Sequence, residues 1–187
     1  MPKKIDQPKE TIIKVAREIL EDEGYDGLSI RNLAKRSGVS IGTIYNYFED
    51  KKVLDMFVMA AFWQEFEFKV QVIFKQPDVG FYDKLNEIES EMNCFISAFR
   101  DLFSQVFQSR KHSYSEREQD VKNQMIKRMS NLLEAEILKE NSSLSTSSPN
   151  AEEIANWILT SMMMVNHMKG MTYLELEKFI RKIMVNA

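Results

Sequence analysis

An all-α fold is predicted by three features of this 187-residue sequence. Apolar residues recur at helical spacing along nearly its whole length, the pattern of helices that each bury one face. No alternating strand pattern recurs. With only six glycines and four prolines, the chain has few interruptions. The expected architecture is an N-terminal three-helix helix-turn-helix module over residues 1–50, followed by a helical domain over residues 51–187.

The residues before Pro8 read as a loose tail, in which Lys3 and Lys4 can touch a phosphate backbone. Pro8 suits the first position of a helix, and Ile12, Ile13, Ala16, Ile19 and Leu20 form an apolar stripe that ends near Gly24. Ser29 is a good N-cap for a short second helix with Ile30, Leu33 and Ala34 on one face. Lys35 and Arg36 occupy its last turn and Gly38 ends it, since glycine tolerates the positive φ of a helix terminus. Ser40 then caps a third helix whose Ile44 and Phe48, with Val39 just outside, can pack onto Ile30 and Leu33. Its other face presents Ile41, Gly42, Thr43, Tyr45, Asn46 and Tyr47, which is poor in charge and rich in hydroxyl, amide and aromatic groups. Such groups read base edges and phosphates. Asp50 caps the next helix, which begins at Lys51 and Lys52.

That fourth helix is long, running to about Lys75 with Leu54, Val58, Ala61, Phe62 and Phe66 on one side, and Gln76 to Gly80 break it. A helix from Phe81 to about Ser109 follows, then a polar turn over Ser109 to Ser115, then a helix from Glu116 to about Lys139. The serine-rich stretch from Asn141 to Pro149 is expected to be a mobile loop. Capping-box patterns, Asn150 with Glu153 and Thr172 with Glu175, open the last two helices, with Gly170 and Met171 between them. The first carries Ile154, Trp157, Ile158, Met162 and Val165, and the second Leu174, Leu176, Phe179, Ile180 and Ile183. Apolar on more than one side, this pair is a candidate for half of a four-helix dimer interface.

Gly38-Val39-Ser40, Thr43-Ile44-Tyr45, Tyr47-Phe48 and Lys51 with Leu54 resemble the DNA-binding signature of the TetR family of bacterial repressors. The similarity reaches back to about Ile12 through Ala16, Gly24 and Ser29, and no motif stands out beyond about Ala60. The resemblance implies that Thr43, Tyr45 and Asn46 reach bases or phosphates in the major groove, while Tyr47 and Lys51 meet phosphates. Ser40 adds a hydroxyl and a free N–H, and Arg31 matches a position able to fork onto guanine. Ile41 departs from the polar or basic residue expected there, and either meets a thymine methyl or packs inward. Gly42 lets the backbone come close to DNA. In the family, subunits meet through the last two helices.

Composition narrows the function. A net charge of −3 argues against nonspecific coating of nucleic acid, so DNA contact must be local. Arg31, Lys35, Arg36, Lys51 and Lys52 form a small basic patch beside Glu49 and Asp50, just after the acidic run Glu18, Glu21, Asp22, Glu23 and Asp26. Cys94 is the one cysteine, so no intrachain disulfide exists. No apolar run approaches membrane-spanning length and the N-terminus lacks a signal-peptide core, so a cytoplasmic protein without membrane partners is expected. His112 and His167 sit far apart without metal-ligand spacing, no Gly-rich phosphate loop occurs, and Cys94 lacks an adjacent base. Neither an enzyme nor a cofactor or metal site is expected. Phe62, Phe66, Phe99, Phe103, Met125 and Trp157 are the candidate lining of a pocket for a small hydrophobic ligand.

Together these features imply a ligand-responsive transcriptional regulator, of repressor type, that binds a palindromic operator on double-stranded DNA as a homodimer. A single short recognition helix touches few bases, so two copies must engage half-sites about one DNA turn, roughly 34–36 Å, apart. Two alternatives stand beside this reading: a DNA-binding protein of the same fold with an architectural or division-control role and no inducer, and a helical ligand-binding or enzyme module whose helix-turn-helix is vestigial.

Overall fold

The computed structural model describes residues 7–103, 116–146, 149–165 and 172–186. Every regular element among them is helical: α1 (Pro8–Gly27), α2 (Ile30–Ser37), α3 (Ile41–Tyr47), α4 (Lys51–Phe74), α5 (Phe81–Ala98), α6 (Arg100–Phe103), α7 (Glu116–Glu140), α8 (Ala151–Val165) and α9 (Tyr173–Asn186). The expected tail before Pro8, the turn over Ser109 to Ser115, both histidines and the Gly170–Met171 link fall outside or largely outside the described residues.

The chain forms two compact units. The first comprises residues 1–64 and 96–123, the second residues 65–95 and 124–187, and α4 contributes to both. At 24 residues, α4 is about 36 Å long.

In the first unit, Ile12, Ala16 and Ile19 of α1, Leu33 of α2, Ile44 of α3, Phe48, and Leu54 and Val58 of α4 are fully buried together with Trp63. The local signals that shape this core behave as their chemistry requires. Pro8 opens α1, and Gly24, at φ 70° and ψ −171°, kinks it before Tyr25. The Ser29 hydroxyl accepts the Asn32 N–H at 3.2 Å, and Gly38 ends α2 at φ 69°, a region that other L-residues enter only with strain. The Ser40 hydroxyl accepts the Thr43 N–H at 3.1 Å, and the Asp50 carboxylate accepts the Val53 N–H at 2.9 Å. Each short helix is therefore closed at its N-terminus by its own side chain.

In the second unit, Phe66 stacks on Phe95 with ring centroids 5.7 Å apart, and Leu85, Ile88, Met125, Ile137, Ile154, Ile158 and Ile180 are buried. α8 packs against α9. Both expected capping boxes form. Asn150 and Glu153 exchange side-chain to backbone hydrogen bonds of 2.9 Å in each direction, and the Glu175 carboxylate accepts the Thr172 N–H at 2.8 Å.

Two expectations fail. The helix that starts at Phe81 stops at Ala98, and a turn at Phe99 separates it from α6. The serine-rich stretch is not uniformly loop: Ser142–Ser145 forms a 3-10 turn with Leu144 fully buried, while residues 147–148 fall outside the described residues. Asn141 explains the order, since its side chain accepts the Ser143 N–H and donates to the Met184 carbonyl of α9 at 3.1 Å.

Candidate nucleic-acid interface

α3 carries the candidate site because its buried and exposed faces are cleanly separated. Ile44 is fully buried and Val39 and Phe48 flank it as buried anchors. Around that anchor, Ile41 is 43 % and Tyr45 48 % exposed, Gly42 and Asn46 are exposed, and Thr43 and Tyr47 are half-buried. Ile41 is therefore not packed into the core of the module. An exposed isoleucine has a methyl-bearing surface suited to a thymine C5-methyl.

Ser40 and Thr43 have partners of their own. Besides capping the helix, the Ser40 hydroxyl lies 2.8 Å from that of Thr43. The two hydroxyls therefore share one hydrogen bond, and the one that does not donate in it keeps its O–H for a ligand. Gly42 has open space around it: a methyl group there would meet only the Ser40 hydroxyl, at 3.9 Å. Nothing inside the fold requires glycine at this position.

The basic patch is smaller than its residue count. Arg36 is held by both Asp22, at 2.9 Å, and Glu23, at 2.9 Å, on α1, and these two hydrogen bonds raise its already high pKa. Lys51 forms an ion pair with Asp55 one turn along α4, and its ammonium sits 4.4 Å over the Tyr25 ring. The Tyr25 hydroxyl in turn donates to Asp55 at 2.6 Å. Asp55 is only 4 % exposed, and burial raises its carboxyl pKa, with the Lys51 charge and the two hydrogen bonds acting in the opposite direction. The same burial, together with the neighbouring carboxylate, raises the Tyr25 hydroxyl. Arg31 and Lys52 are exposed.

Sequence reasoning missed the Tyr25–Asp55–Lys51 cluster. A signal for it exists: Asp55 interrupts the apolar run Val53, Leu54, Met56, Phe57 and Val58 four residues after a lysine.

The candidate ligand residues lie in different surroundings. Phe62 is buried in the first unit with its ring 3.9 Å from that of Phe99, and the Arg17 guanidinium lies 4.8 Å over it. Phe66 and Met125 are buried in the second unit. Trp157 is 39 % exposed on α8, so it is not enclosed within its unit. Phe103 ends α6, and its side chain is outside the described set.

Residues 12–54 match the family model of the bacterial regulatory proteins of the tetR family. The chain carries the DNA-binding domain of the TetR family. An HTH-type transcriptional regulator of Staphylococcus aureus strain USA300 is 30 % identical over 59 residues, 32 % of either chain. The match thus spans about a third of the length of that curated relative. Solved structures extend the likeness of fold to the rest. The regulator FadR from Bacillus subtilis, in complex with stearoyl-CoA, superposes with a TM-score of 0.61 at 19 % identity, over 95 % of this chain and 98 % of that one. A TetR transcriptional regulator from Legionella pneumophila gives 0.58 at 15 % identity, over 96 % and 98 %. The arrangement of an N-terminal helix-turn-helix and a C-terminal helical domain is that of TetR-fold regulators. Among the described residues, no helix is long and apolar enough to cross a membrane.

Proposed function

We propose that this protein is a cytoplasmic transcriptional repressor that binds a near-palindromic operator as a homodimer and is released by a small apolar ligand. The observation that carries the reading is the α3 face, where Ile41, Tyr45 and Asn46 stand exposed around a buried Ile44 within a module matched to the TetR family. An exposed surface of aromatic, amide, hydroxyl and methyl groups suits base edges in the major groove, with Arg31 able to fork onto guanine and Tyr47 and Lys51 placed for the phosphate backbone. In this reading residues 1–50 bind DNA and residues 51–187 bind ligand and partner.

Support for the dimer comes from α8 and α9. Trp157 and Met164, two turns apart on the outer side of α8, are exposed, as are Leu174, Phe179 and Val185 of α9. Ile158 and Ile180, which the sequence grouped with them, are fully buried inside the unit and belong to its core. The self-complementary surface is therefore the outer one, around Trp157.

Support for an apolar ligand group comes from the FadR structure, whose bound stearoyl-CoA joins a long acyl chain to a charged CoA part. Phe62 and Phe99 are its candidate contacts in this chain, and α4, continuous from Lys51 to Phe74, is the covalent connection by which occupancy acts on α3. The test is a DNA titration of the dimer with and without stearoyl-CoA. Linkage requires the acyl-CoA to weaken DNA binding by the factor by which DNA weakens acyl-CoA binding, roughly 5 to 150-fold. Equal DNA affinity in both titrations excludes a long-chain acyl-CoA as the ligand.

A further inference from the structure

We propose that Asp55 is a specificity-determining residue of the DNA interface: by compensating the charge of Lys51 it keeps sequence-independent attraction to DNA low. The inference rests on the DNA-binding reading above and concerns what that interface discriminates. Sequence-independent affinity follows the number of cations that neutralise phosphates, because each releases condensed counterions. A module that must find one site among many therefore gains specificity when its cations are few.

The structure limits them in two places. The Lys51 ammonium is paired with the Asp55 carboxylate and lies against the Tyr25 ring and hydroxyl, the hydroxyl at 3.5 Å, with its side chain 31 % exposed. Asp55 is buried, so a Lys51 that swung out to a phosphate would leave behind a buried carboxylate held only by Tyr25. Lys51 consequently stays paired. It offers DNA an N–H donor at the start of α4 without a net charge. Arg36 is treated alike, its guanidinium bound to Asp22 and Glu23. Of the five cations between Gly27 and Lys52, Arg31, Lys35 and Lys52 are left without an ion pair among the described residues. Discrimination then falls to the uncharged face of α3.

The experiment is an anisotropy titration of the full chain on two duplexes, an operator selected from a random pool and a scrambled duplex of equal length, between about 50 and 200 mM salt. Asp55→Asn keeps an acceptor for Tyr25 and frees the Lys51 charge. On the scrambled duplex its salt slope should steepen by about 0.9, with affinity higher by roughly eightfold near 0.1 M salt. The operator should gain less, so the specificity ratio falls. The double variant Lys51→Gln with Asp55→Asn replaces one neutral pair by another. It should weaken both duplexes, because the glutamine amide reaches less far and its donor is uncharged, and yet retain the wild-type slope. An unchanged or shallower slope in Asp55→Asn overturns the proposal, as does a loss of about 0.9 in the double variant, which would mean that Lys51 acts as a full charge. If Asp55→Asn does not fold, the slope of the double variant decides alone. Wild-type protein that binds neither duplex would instead refute the DNA-binding reading itself.

Discussion

Gly42→Ala separates what the fold needs from what the DNA needs. Gly42 is the second residue of α3, and a Cβ built there meets only the Ser40 hydroxyl at 3.9 Å, an ordinary van der Waals distance. Folding should accept the methyl group. Alanine loses less backbone entropy than glycine on entering a helix, a gain of up to about 1 kcal/mol, and less in a first turn. For a chain of this size that corresponds to a melting temperature unchanged or raised by about 2–4 °C. The methyl projects from the exposed face between Ile41 and Thr43, where DNA approaches if α3 is the recognition helix. There it holds the backbone away from the groove and disturbs neighbouring contacts, which typically cost about 1–3 kcal/mol for each base pair affected. Thermal melts beside operator titrations read the two quantities independently. A stable variant with five- to 150-fold weaker operator binding supports the assignment. Unchanged affinity would show that DNA does not come close at Gly42, and a lower melting temperature would show that the glycine serves the fold.

Tyr45→Phe removes one hydroxyl from an exposed ring and should weaken operator binding by about 1–3 kcal/mol while leaving a scrambled duplex unaffected, so equal losses on both would refute a base contact. Trp157→Glu with Leu174→Glu should yield a folded monomer in sedimentation, because these side chains are exposed in the single chain and are buried unpaired only when two chains meet, and a persistent dimer places the interface elsewhere. Leu144→Ala should destabilise by about 2–5 kcal/mol, since the side chain is fully buried, whereas a surface loop would lose almost nothing in a urea titration. The pH dependence follows from Asp55, whose carboxyl is raised mainly by burial and also by Asp50, against Lys51 and Tyr25. A raised folded pKa means that the native state keeps its proton longer than the unfolded chain, so this group's contribution to stability is greatest in acid and declines as pH rises from the ordinary carboxylate value through the raised one. Urea unfolding of wild type and Asp55→Asn across that window should show wild type losing stability relative to the variant as pH rises, and parallel profiles would contradict the shift.

What the sequence made legible is local. Ser29, Ser40, Asn150 and Thr172 cap the helices they precede because a cap is decided within four residues, and Gly38 takes its positive φ for the same reason. The α3 face could be read because three apolar anchors set its register. What escaped was pairing over distance. Arg36 looks like a free cation until α1 brings Asp22 and Glu23 to it, and Lys51 looks like a second one until Tyr25, 30 residues before Asp55, folds over the same carboxylate. Leu144 is buried because Asn141 ties its turn to the end of α9, a contact 43 residues away that serine-rich composition cannot foretell. Ile158 and Trp157 are adjacent and both apolar, and only the packing of α8 on α9 turns one inward and leaves the other exposed.

The central claim is that two copies of α3 read two half-sites. It is tested most directly by selecting duplexes that the purified 187-residue chain retains from a random-sequence pool and sequencing them. The expected result is enrichment of one near-palindromic sequence whose half-site centres lie about 10–10.5 base pairs apart, or a multiple of that, with weaker enrichment in Tyr45→Phe. No enrichment, or a single half-site without a symmetric mate, would contradict it.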